Sequence, residues 1–149
     1  MAKRYEVDQF INHIRSASEE ERYNYGKEAL MILRKAFLRQ SDEATTDNML
    51  YTLVAFYFIQ AGVESFSNAS YEFCKFVYES PLTKEEFLNE VNKHWEEEDI
   101  NAIIEFMRGF EVNEMDALVE LGLCLYVCGG EFTEKERYTI YGLSGVNIR

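Results

Sequence analysis

Two apolar runs of helix length, Met49 to Gly62 and Ala117 to Gly130, most constrain what this chain can fold into. Each closes on glycine, crosses an acidic turn that holds a hydroxyl residue, and enters a second, amphipathic segment. A helix that is apolar nearly all round has to be buried against other helices. Two of them, each followed by an amphipathic segment, predict a single all-α domain with two pseudo-repeated helix hairpins. The pattern speaks to architecture and leaves the chemistry open.

The remaining composition agrees. One proline and eight glycines supply little turn material for a β-sandwich. The 149 residues suit one domain with a real core, and 47% apolar content argues against disorder. The longest unbroken apolar stretch, Leu53 to Ile59, is far too short to span a bilayer. The first eight residues turn polar and acidic at once, which is unlike a signal peptide. Three cysteines do not make an even disulfide framework, so a reducing cytoplasm is expected.

Charge is uneven as well as large. The net value is −12, yet residues 1–40 balance at +2 and residues 41–149 at −14. Such a body repels nucleic-acid phosphates and attracts cations or a basic protein. The plainer meaning of the same charge is solubility.

Local signals divide the chain into seven or eight helices. Val7, Phe10, Ile11 and Ile14 share one helical face. Ser18 with Glu21 forms a capping box, opening a helix to about Leu38. Thr46 or Asp47 is the expected cap of the first apolar helix, and Gly62 its stop. Ser67 or Ser70 opens the next helix. Pro81 ends that stretch, and Thr83 with Glu86 forms a second box. The acidic run Glu96 to Asp99 opens a helix at the end where the dipole favours negative charge. Asn113 is the expected cap of the second apolar helix, and Gly129-Gly130 its stop. Thr133 with Glu136 forms a third box, and Ser144 onward is expected to fray. The rings between Tyr51 and Tyr78 read as core, with some hydroxyls reaching the surface.

No catalytic constellation is visible. Cys124 and Cys128 share a helix face, but small thiols in an apolar helix are ordinary core residues. His94 beside the acid run reads as a surface imidazole. Phosphate-binding glycine motifs and HExxH are absent. The acids Glu96 to Asp99 point around the helix cylinder rather than at one spot. The turns are the better candidates: Glu64 follows the first apolar helix, and Glu131 and Glu134 follow the second. If the two halves pack as a pseudo-symmetric pair, these carboxylates share one end of the domain. There they would form a weak divalent-cation site or a docking face, and otherwise they are ordinary polar turns.

The segment Leu121 to Leu143 resembles the second-half signature of the TerB-like tellurite-resistance family. In that signature an apolar helix runs into A-D-G, then an acidic turn with Ser or Thr and a Glu three residues on. Gly130, Thr133 and Glu136 match it, and Gly129 stands where the aspartate is usual. Gly62, Ser67 and Glu72 form a looser first-half echo, with Ala61 in the aspartate's place. The resemblance covers about residues 47–143 and leaves an N-terminal helical arm, residues 1–45, outside it. It implies an all-helical fold of two related halves and a role in stress response or metal binding. Both missing aspartates are the family's evident cation ligands.

The expected function is a non-enzymatic cytoplasmic binding module that engages a basic protein partner, or weakly a divalent cation, through an acidic face. The alternatives are an acidic mimic of nucleic acid that occupies a DNA-binding protein, and an enzyme whose site carries no recognisable motif.

Overall fold

Capping chemistry sets most of the helix boundaries. In the computed structural model, which describes residues 4–62 and 67–145, eight α-helices form and no strand appears among them. Helix α1 spans Arg4–Ser16, and α2 spans Glu19–Gln40 behind the Ser18–Glu21 box. Helix α3, Glu43–Ala61, is capped by the Asp42 carboxylate, which accepts from the Thr45 N–H at 2.7 Å. It therefore begins one turn earlier than Thr46 or Asp47 would set. The reason is local: Thr46 turns its hydroxyl back onto the Asp42 carbonyl at 2.9 Å and is fully buried. Gly62 ends α3 in the left-handed region, at φ 66°.

Helix α4, Asn68–Tyr78, takes Ser67 rather than Ser70 as its cap. Its C-cap, Glu79, holds a left-handed φ of 51° without being glycine. Helix α5, Lys84–Asn92, sits behind the Thr83–Glu86 box. Helix α6, Glu97–Arg108, is opened by Glu96 and Asp99. Helix α7, Val112–Cys128, is capped by Glu111 and boxed by Glu114, so Asn113 already lies inside the helix. Helix α8, Glu134–Gly145, follows the Thr133–Glu136 box, whose two bonds are 2.8 and 3.1 Å.

Helices α3 and α7 form the interior. Leu53, Ala55, Leu118, Leu123 and Cys124 have no solvent exposure. Each leucine buried this way adds about 1.5–3 kcal/mol of transfer free energy. Two tyrosines tie the rods together. The Tyr57 hydroxyl donates to the Leu118 carbonyl at 2.6 Å, and the Tyr126 hydroxyl donates to the Tyr57 carbonyl at 2.5 Å. Tyr71 and Tyr78 likewise donate to the Leu82 and Leu50 carbonyls. These four hydroxyls therefore end on protein backbone, while Tyr51 is half-buried and, among the described rings of that stretch, Phe76 is substantially exposed.

Around the rods, α2 packs broadly on α7 and also on α4. Helix α7 packs directly on α8, while α3 lies against α8, α2, α5 and α6. Helix α1 closes one side by packing on α7 and α8. Glu114, buried on α7, pairs with Arg39 of α2, which also donates to the Gly109 carbonyl at 2.8 Å. None of the described helices is long and apolar enough to cross a membrane.

Candidate functional site

Of the three turn carboxylates, two fall among the described residues. Glu131 and Glu134 are exposed at the start of α8, and Glu64 lies outside the described residues. Among the described residues no group of three or more His, Cys, Asp or Glu is placed to hold a metal ion. A protein cation already occupies the neighbourhood: the Lys135 ammonium lies against Gly62, 3.5 Å from where a Cβ would stand.

The cysteines are core residues. Cys74 and Cys124 are buried, and burial pushes both thiols far above their ordinary value. Cys128 is half-buried and also raised, with Arg22 working against that shift. A thiol held protonated is a poor nucleophile and metal ligand. His94 is more enclosed than a surface imidazole, with 15% of its side chain exposed and Nδ1 3.8 Å from Asp99. That acid is the capping residue of α6, so the contact belongs to the helix start.

A different set of acids does share a concave surface. Between α1, α7 and α8 lies a cleft of about 310 Å³. Helical spacing builds one wall: Met115, Asp116, Val119 and Glu120 follow the i, i+1, i+4, i+5 rows of α7 and so look the same way. Val7 and Phe10 of α1 and Leu143 of α8 complete the apolar lining. Val7 and Val119 are buried floor residues, and Phe10, Met115 and Leu143 pack half-buried on the core. Glu6 of α1 adds a third carboxylate to the lining.

Glu120 is the residue under electrostatic load. Burial raises its carboxyl above the ordinary value, Glu28 of α2 and Asp116 raise it further, and His13 of α1 opposes them. Among the described residues neither Glu120 nor Asp116 forms an ion pair or a side-chain hydrogen bond, and no Lys or Arg lines the cleft. Contrast Glu114, six residues earlier: there the Arg39 hydrogen bonds hold the carboxyl below its ordinary value. One helix thus carries a buried carboxylate that the protein compensates and a half-buried one that it does not.

Motif reading passed over this cleft. The available signal was that Glu120 is the sole charged residue between Ala117 and Gly130. What could not be read was that α1, within the N-terminal arm, supplies the facing wall. In the comparisons with known proteins the chain matches no protein-family model, no curated protein and no solved structure.

Proposed function

We propose that this chain is a TerB-like, non-enzymatic binding module of the cytoplasm, possessing a stress-related role, that engages a basic protein partner through the cleft between α1, α7 and α8. The observation that carries this reading is the half-buried Glu120 on an apolar floor, with the exposed Asp116 one turn before it on the same face and no Lys or Arg in the lining. A half-buried carboxylate without a counter-charge gains when a cation arrives with its own apolar surface. The −12 net charge steers such a partner from a distance. A divalent cation is the weaker ligand here, because half of the lining is apolar and offers no oxygens.

The test is calorimetric titration of the full chain with a basic amphipathic helical peptide. Asp116→Asn and Glu120→Gln are each expected to weaken binding about three- to tenfold. Glu85→Gln, on the exposed start of α5, leaves it unchanged. Binding that ignores both cleft substitutions, or that persists unaltered in high salt, rejects the cleft as the docking face.

A further inference from the structure

The cleft is small for a protein interface, and its size bears on what enters it. About 310 Å³ is at the lower end of small-ligand sites, room for a side chain and not for a helix. Its lining is more apolar than polar, with Asp116 and Glu120 contributed by α7 and Glu6 by α1. The complementary shape is a long apolar stem that ends in a cation. Lysine and arginine are the side chains built this way.

The placement of the acids separates the two. Asp116 and Glu120 are one helical turn apart on the same face of α7, so their carboxylates are neighbours. Two adjacent carboxylates offer several oxygens across a broad front. The guanidinium is a planar fork with five donors that can meet two carboxylates at once, whereas an ammonium is a compact, strongly hydrated point charge. Guanidinium also loses less hydration on entering a half-buried site.

We propose that the cleft is a socket for one arginine side chain of the partner, its stem lying along Phe10, Met115 and Val119 and its guanidinium spanning Asp116 and Glu120. This rests on the basic-partner reading above and names the group that the partner inserts. A single buried arginine surrounded by weaker contacts is the usual anatomy of an interface hot spot. The charged groups that act on Glu120 are Asp116 on its own helix, Glu28 of α2 and His13 of α1; α1 also presents Glu6 to the cleft, and α8 presents Leu143 and Ser144. Most of these are anions, so the arriving guanidinium relieves repulsion as well as burial. Occupancy therefore favours ionised Glu120, and affinity rises as pH rises through the range where Glu120 loses its proton.

The experiment follows backbone amides of the full chain by NMR during titration with n-butylguanidinium, n-butylammonium and the neutral isostere n-butylurea. Butylguanidinium is expected to shift Phe10, Met115, Val119 and Glu120 saturably, with a dissociation constant on the order of a few millimolar. Butylammonium binds several-fold more weakly and butylurea negligibly. Glu120→Gln removes saturation and the pH dependence. Equal binding of butylurea, or of butylammonium, overturns the arginine socket. So does a linear shift spread over all the acidic surface. If the basic peptide of the preceding experiment binds through Asp116 and Glu120 while butylguanidinium leaves the cleft unmoved, the socket falls and the acidic docking face stands. If neither probe binds, both fall.

Discussion

Glu114 and Glu120 occupy the same helix, and their carboxyls are shifted in opposite directions from the ordinary value, which gives each a distinct signature. Folded Glu120 keeps its proton to higher pH than the unfolded chain does. Its penalty is absent below the unfolded value, about pH 4.3, and grows as pH climbs through the folded value. Glu120→Gln is therefore expected to raise the melting temperature at pH 7 by roughly 1–2 °C, a gain that vanishes below about pH 4. Glu114 has the depressed value, so its contribution is present at neutral pH and drains away as pH falls below the unfolded value. Glu114→Gln is expected to lower the urea midpoint at pH 7 and to do little in acid. Stabilisation by Glu120→Gln together with lost peptide binding would mark a side chain kept for contact rather than for folding.

Among the elements, α3 meets α7 through the Tyr57 ring, which needs a bare backbone position on α7. A Cβ on Gly122 would stand 2.5 Å from the Tyr57 ring. That ring cannot swing aside without breaking its bond to the Leu118 carbonyl. Gly122→Ala gains about 1 kcal/mol of helix propensity and loses more to the clash, for a net destabilisation of about 1–2 kcal/mol in urea denaturation. Thr83→Ala tests a boundary instead: losing the α5 cap is expected to lower stability by about 1 kcal/mol. The elements were largely legible beforehand, because capping boxes and apolar stripes act within one or two turns. Ser18, Thr83 and Thr133 announce their helices through neighbours three residues away, and the acid run from Glu96 announces its own by charge. Asp42 and Glu111 were missed since several acceptors compete at each start, and tertiary contacts decide: Thr46 is buried, and Glu114 is held by Arg39.

At the scale of the whole molecule, the cleft was illegible because its walls come from residues 6–10, 115–120 and 143–144, far apart in sequence. Periodicity reports which face of a helix is apolar, not which helix faces it. The same is true of the acidic turns, whose neighbour at Gly62 proves to be Lys135. A body of −12 charge also repels itself. Moderate sodium chloride is expected to raise the melting temperature by roughly 2–4 °C while weakening the basic peptide, so stability and affinity should move in opposite directions along one salt series.

The crossed tyrosine bonds between the two inner rods carry an optical consequence. Burial lifts the Tyr57 and Tyr126 phenols well beyond their ordinary range, and Tyr78 with them. These three should therefore remain silent in phenolate absorbance for as long as the fold holds in alkali. Neutral phenol is the form the native state prefers, so its advantage fades above about pH 10, and the silent absorbance then arrives in one sharp step that reports the rods coming apart.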